Sequence, residues 1–155
     1  MKIDWKRKGT TTAMTILRIA AGTIMVAHGV QKLADPGMFT QAFASFGIPL
    51  PGLAVWLAIA GELAGGLGLL LGFLTRIAAL GPLCTMLVAI ASVHLGNGLF
   101  AANNGWEYPL TMLLVALVFV FRGAGPVSVD AMLQKARDKS PDGELAMGHR
   151  PHYSH

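Results

Sequence analysis

The sequence is poor in the residues that normally cover the surface of a soluble protein. Only 13% of its 155 residues are charged, whereas 54% are hydrophobic. So few charged side chains cannot coat a soluble domain of this length. The composition therefore argues against an ordinary soluble protein and indicates a membrane protein.

Cysteine is almost absent as well. Cys84 is the single cysteine, so the chain can form neither an intramolecular disulfide nor a Cys-x-x-Cys motif. This excludes the small four-helix membrane enzymes that exchange thiols and disulfides through paired cysteines. Nucleotide, flavin and haem motifs are also missing, so the chain itself carries no cofactor signature.

Long apolar runs are what the sequence has in abundance. They predict four membrane-spanning helices, at residues 13–33, 52–74, 77–95 and 107–122. A helix needs about 20 residues to cross the hydrocarbon core, so the fourth must draw on polar residues that flank it. The first run is too long for the apolar core of a signal peptide, which has about 7–15 residues. We therefore predict an all-α integral membrane four-helix bundle.

Lysine and arginine are distributed unevenly between the two sides of this bundle. Four lie before the first run, one between the second and third, and five after the fourth, which places ten on one side. The loops on the other side, residues 34–51 and 96–107, contain none. The positive-inside rule therefore places the N-terminus and the C-terminus in the cytoplasm, as in a bacterial inner (plasma) membrane protein. The net charge of +4 then reflects topology and not nucleic-acid binding.

The remaining segments complete the domain organisation. Residues 1–12 are interpreted as a basic cytoplasmic N-terminus, followed by the membrane domain at residues 13–122. Residues 123–140 predict an amphipathic helix at the membrane interface, with Ser128 as its N-cap. Residues 141–155 are polar and are predicted to be disordered; a metal-binding role for the histidines in this tail is the weaker alternative.

Two further patterns concern packing. One face of the second helix is lined with glycines, which allow another helix to approach closely, either from the same chain or from a second copy in a homo-oligomer. These glycines are Gly61, Gly65, Gly68 and Gly72. The first loop has aromatic residues at helical spacing, which predict a short amphipathic helix at the outer interface or, equally, an aromatic cap over the bundle. They are Phe39, Phe43 and Phe46.

Ionisable residues within the apolar runs are candidates for function, because inserting one into a membrane costs about 2.5–3.5 kcal/mol. Each predicted span contributes one polar residue to the outer half of the bundle, which predicts an outward-facing polar pocket. The predicted ligand-binding residues are His28, Lys32, Glu62, His94, Asn97 and Glu107. Such a pocket, covered by loop aromatics, would suit a quinone-like head group, with histidine as a donor and a carboxylate as proton relay.

Alternatives remain open for these residues. Arg18 shares a face of the first helix with His28 and Lys32, and Glu62 is the natural anionic partner for this face. Arg18 and Glu62 are predicted to form a structural ion pair, with His28 as the alternative partner of Glu62. A metal site built from His28, His94 and Glu107 is the least favoured alternative, and no metal is predicted.

Several segments of the sequence resemble the DoxX family of small four-helix bacterial membrane proteins. They are "LRIAAGTIMVAHGVQKL", "FGIPLP", "GELAGGLGLLLGFLTR", "VHLGNGLF", "GWEYPL" and "GPVSVD", and they cover roughly residues 17–130. The family pattern falls on His28, Gly29, Lys32, Glu62, His94, Asn97, Gly98, Glu107, Tyr108 and Pro109.

The resemblance implies a membrane-associated component of an oxidoreductase. Because the chain has no cofactor motif, such a role would require a bound quinone or a redox partner subunit. We therefore expect a membrane component of a redox complex, whose polar pocket on the periplasmic side takes a quinone-like or small anionic ligand. The competing expectation is a non-catalytic scaffold or small-solute carrier whose buried polar residues are structural. Whether the chain is itself an enzyme is left open by the sequence.

Overall fold

The computed structural model describes the backbone of residues 5–139 and the side chains of residues 9–139. The predicted disordered tail, residues 141–155 with its three histidines, lies outside the described residues, as do residues 1–4. Within the described part the chain is helical and contains no strand, which agrees with the predicted all-α class.

Five helices account for most of the chain. They are α1 (Trp5–Ala34), α2 (Pro36–Ser45), α3 (Pro51–Leu71), α6 (Glu107–Arg122) and α7 (Val129–Asp138). Between α3 and α6 the third apolar run is helical but irregular. It consists of α4 (Thr75–Ala78), α5 (Leu80–Ala89), a π-helical turn at Ile90–His94 and a 3-10 turn at Leu95–Asn97.

Three segments are long and apolar enough to cross a membrane, namely Gly9–Ala34, Pro51–Leu71 and Thr75–Asn97. They correspond to the first three predicted spans. The fourth, α6, has 16 residues and therefore falls short of the ~20 residues that a full crossing needs. Helix α1 begins at Trp5, before the predicted residue 13, because the apolar run marks what lipid can cover and not where helical hydrogen bonding starts.

The predicted aromatic helix of the first loop is present as α2. It is capped by Asp35, whose side chain accepts a hydrogen bond from the backbone N–H of Met38 at 2.9 Å, and it begins at Pro36. Phe39 and Phe43 are half-buried. Helix α2 packs mainly against α3, so this aromatic segment lies against the helices.

Glycines let α3 pack closely against its neighbours on both sides. A Cβ at Gly22 of α1 would stand 2.8 Å from the carbonyl oxygen of Gly66, and one at Gly81 of α5 would stand 2.4 Å from that of Gly61. Gly65 and Gly68 likewise lie against Pro82 and Ala78. The glycine face is thus occupied by the same chain, the first of the two predicted alternatives; the oligomeric state itself stays a prediction.

The residue pairs in contact show that neighbouring helices run antiparallel. Arg18 in the middle of α1 meets the end of α3, whereas Lys32 at the end of α1 meets Glu62 in the middle of α3. One end of the molecule therefore gathers the first half of α1, the end of α3, α4, the end of α6 and α7. We call it the basic end, and the opposite end, with α2 and the α5–α6 connection, the loop end.

At the basic end, α7 begins as predicted. Ser128 is its N-cap, and the Ser128 hydroxyl accepts a hydrogen bond from the N–H of Ala131 at 3.2 Å. Asp130, in the first turn of α7, accepts hydrogen bonds from the N–H groups of Leu74 and Thr75 at 2.7 and 3.1 Å and from the Thr75 hydroxyl at 3.0 Å. Asp130 thereby satisfies donors at the start of α4 and fixes α7 to the helices.

Candidate functional site

An ion pair joins the end of α1 to the middle of α3. The Lys32 Nζ donates to both oxygens of the Glu62 carboxylate, at 2.9 and 2.8 Å. The side chains of Lys32 and Glu62 are only 12% and 4% exposed. The lysine ammonium also lies 5.4 Å from the centroid of the Phe39 ring, so α2 covers the ion pair.

The predicted ion pair of Arg18 with Glu62 is wrong, because Glu62 pairs with Lys32. Arg18 is 2% exposed and uses its guanidinium on backbone carbonyls instead. It donates to Leu69, to Leu70 at 3.0 Å and to Val127 at 2.9 Å. The last carbonyls of a helix lack intrahelical partners. The Arg18 guanidinium supplies donors to those at the end of α3, which explains why it does not turn toward Glu62 in the middle of that helix.

His28 and Tyr108 lie beside the ion pair. Their rings are 5.6 Å apart at an interplanar angle of 37°. His28 interacts electrostatically with Lys32, and Tyr108 with Glu62. These four residues, from α1, α3 and α6, form one group, which we call the polar cluster.

The Tyr108 hydroxyl is the incomplete part of the polar cluster. It is buried and has no hydrogen-bond partner among the described residues. The ring packs on an apolar cluster that includes Met25, Met86 and Met112, which holds the hydroxyl in place. A buried hydroxyl without a partner is costly and calls for an explanation, such as a ligand or a water.

The other three predicted site residues organise the α5–α6 connection. His94 Nδ1 donates to the carbonyl of Asn104 at 2.8 Å, so the neutral ring has Nε2 as its acceptor. The Asn97 side-chain amide donates to the same carbonyl at 3.2 Å, and Glu107 accepts from the N–H of Ala101 at 2.6 Å. Within residues 9–139, no hydrogen bond, ion pair or ring contact joins these residues to the polar cluster.

The structure thus divides the six predicted residues into two groups. His28, Lys32 and Glu62 come together, whereas His94, Asn97 and Glu107 hold a loop. Tyr108 was not among the predicted ligand-binding residues, although the family pattern falls on it. No signal in the sequence pointed to the π-helical turn that places His94.

The metal alternative is not supported. Within the part of the chain that the structure describes, no three histidine, cysteine, aspartate or glutamate side chains lie close enough together to hold a metal ion. His28 instead contacts an aromatic ring, while His94 and Glu107 bind backbone groups.

Comparisons with known proteins identify a matching family profile and several relatives. Residues 13–95 match the family profile described as DoxX. An uncharacterised protein of Haemophilus influenzae is 33% identical, over 76% of this chain and 87% of its own length. "Putative oxidoreductase CatD" of Bacillus subtilis is 30% identical, over 79% and 87%. An uncharacterised membrane protein of Mycobacterium tuberculosis is 29% identical, over 77% and 80%. No solved structure matches the chain.

Proposed function

The chain belongs to the DoxX family, and on that premise we propose that it is a multi-pass protein of the bacterial inner membrane with a redox role. The segments Gly9–Ala34, Pro51–Leu71 and Thr75–Asn97 would cross the membrane together with α6 as a four-helix bundle. The basic end would face the cytoplasm, because lysine and arginine concentrate there. The polar cluster would then lie toward the periplasmic side.

We propose that the polar cluster binds a quinone-like molecule and that the chain acts with a redox partner subunit. The observation that carries the proposal is the Tyr108 hydroxyl, a buried donor without a partner next to the Lys32–Glu62 ion pair. Ionisable residues within apolar spans are expensive to place and commonly mark pathways for ligands or protons. The name of the Bacillus subtilis relative is consistent with a redox role.

The charges of the cluster favour a carbonyl ligand over an anion. Glu62 already accepts two hydrogen bonds from Lys32, so an anion would meet a carboxylate as well as an ammonium. A carbonyl oxygen could instead accept from the Tyr108 hydroxyl and from the third N–H of Lys32. A bound quinone would supply the capacity to take up two electrons and two protons, and His28 and Glu62 would hold protons beside it.

The test is to measure the quinone that co-purifies with the protein in mild detergent. Tyr108→Phe removes only the hydroxyl, so the retained quinone should fall at least about fivefold, because a buried hydrogen bond contributes about 1 kcal/mol. In protein stripped of quinone, the melting temperature should stay the same or rise, since the variant removes a buried hydroxyl that has no partner there. Quinone is extracted and quantified per protein by mass spectrometry.

The matched control is Thr111→Val, which removes an exposed hydroxyl one turn along α6 and should leave quinone retention unchanged. Equal retention in the two variants, or no quinone in the unmodified protein, would contradict the proposal. The second candidate, a non-catalytic scaffold or small-solute carrier, is favoured by the structural use of Arg18, His94 and Glu107. It predicts that no variant of the polar cluster changes bound quinone.

A further inference from the structure

A second polar feature lies at the basic end, away from the polar cluster. A groove of about 710 Å³ separates the start of α4 and the end of α6 from α7. This volume is within the range of ~300–1,000 Å³ that ligand pockets commonly have. Three cations line the groove, Arg76, Arg122 and Lys135, one from each of the three elements that enclose it.

These cations have no carboxylate partner among residues 9–139. Among the described residues, none of the three forms an ion pair. Two carboxylates also line the groove, but Asp130 is engaged with the N–H groups of Leu74 and Thr75. Asp138, in the last turn of α7, is the second. The groove therefore has an excess of positive charge that suits an anion, and a phosphate in particular.

Exposed apolar side chains lie around the groove, and the binding of a soluble anion would not require them. Leu74 and Ile77 line the groove beside Arg76, and Phe121 directly precedes Arg122 in the chain. These three side chains are 53%, 67% and 71% exposed. On α7 the groove-facing side carries Asp130 and Lys135, whereas Met132 and Leu133 point the other way and are 70% and 54% exposed. Cations next to exposed apolar side chains at helix ends match the boundary between lipid head groups and acyl chains.

We propose that this groove binds the phosphate of an anionic phospholipid head group, with an acyl chain lying along Ile77 and Phe121. Basic pockets between helix ends on the cytoplasmic side of membrane proteins hold anionic lipid head groups by the same chemistry. The Arg76 side chain packs against Gly123 at the end of α6. A Cβ added at Gly123 would stand 3.3 Å from the Arg76 Nε. The inference does not depend on a quinone at the polar cluster.

The test is lipid retention by the purified full chain in a neutral detergent. The protein is mixed with equal amounts of phosphatidylglycerol and phosphatidylcholine of the same acyl chains, and bound lipids are counted by native mass spectrometry. We expect a preference for phosphatidylglycerol that falls about fivefold in Lys135→Gln, the typical contribution of one cation near an anionic lipid. Arg122→Gln should lower it by a similar factor.

Lys139→Gln is the matched control. It makes the same charge change just beyond the same helix but outside the groove, and it should keep the preference of the unmodified protein. Lys135 and Lys139 are both exposed, so equal melting temperatures are expected and serve as the check on folding. Equal preferences in Lys135→Gln and Lys139→Gln would overturn the proposal, and so would equal retention of the two lipids.

A final arm separates a lipid from a free anion. Inorganic phosphate at millimolar concentration is added to the protein before the lipid. If the site takes a lipid, phosphate leaves the bound phosphatidylglycerol nearly unchanged, because the acyl chains contribute to its affinity. Complete displacement by phosphate alone would identify a soluble-anion site and would overturn the assignment to a lipid.

Discussion

The two ends of the molecule use buried charge in different ways. At the basic end, Arg18 donates to the carbonyls of Leu70 and Val127, and Asp130 accepts from the N–H groups that begin α4. At the loop end, Lys32 and Glu62 bond to each other and leave the nearby Tyr108 hydroxyl without a partner. Charges that bond to backbone groups hold helix ends together, whereas Lys32 and Glu62 join two helices through their side chains alone.

The largest effect on stability is expected at Arg18. Arg18→Met leaves the carbonyls of Leu69, Leu70 and Val127 without this buried donor. Since hydrogen bonds to charged groups contribute about 1.5–3 kcal/mol each and do not simply add, the free energy of unfolding should fall by at least about 3 kcal/mol. Unfolding by increasing amounts of denaturing detergent, followed by circular dichroism, measures it.

Arg122→Met is the control for that prediction. It removes the same charge from an exposed residue at the end of α6, and the change should stay within about 0.5 kcal/mol. If the two variants were equally stable, the role of Arg18 in joining α1, α3 and the segment before α7 would be refuted.

A smaller effect is expected at the ion pair of the loop end. Lys32→Met or Glu62→Gln alone leaves a largely buried partner unpaired and should lower the free energy of unfolding by about 2 kcal/mol or more. The double variant should lose less than the sum of the two, with a coupling energy of about 1–3 kcal/mol. The same denaturing-detergent titration supplies all four values of the cycle.

A second cycle distinguishes the observed pair from the pair expected from sequence. Arg18→Met combined with Glu62→Gln should be additive within about 0.5 kcal/mol, because Arg18 bonds to backbone carbonyls and Glu62 to Lys32. Strong coupling in this cycle, with none between Lys32 and Glu62, would reverse the assignment.

The smallest of these effects is expected where α7 meets α4. Asp130→Ala removes the acceptor for the N–H groups of Leu74 and Thr75 and for the Thr75 hydroxyl. By analogy with the loss of a helix cap, it should cost about 1–2 kcal/mol. Asp138→Ala, a change of the same kind at an exposed position of α7, should stay within about 0.5 kcal/mol. A measurement that ranks the two variants equally would mean that Asp130 contributes no cap.

The sequence predicted helices well where a run of apolar residues defines them, and it predicted contacts poorly where several partners were within reach. Runs near residues 13–33 and 52–74 correspond to α1 and α3, and the aromatic spacing correctly predicted α2. The predicted partner of Glu62 was wrong, because the depth of a residue along its helix does not reveal which side chain of the neighbouring helix reaches it. His94 was assigned to a pocket, but irregular turns at Ile90–Asn97 let it bind the carbonyl of Asn104.

The sequence by itself determined that this chain is helical and suited to a membrane, because the hydrophobicity and the length of each apolar run are local properties of the chain. It also fixed the unequal distribution of positive charge, which depends only on order along the chain. Only the tertiary structure decided which polar residues act on one another. Lys32 meets Glu62 and Tyr108 lies beside them because close packing at Gly22, Gly29 and Gly66 sets the register of α1 on α3, and such a register depends on two helices at once.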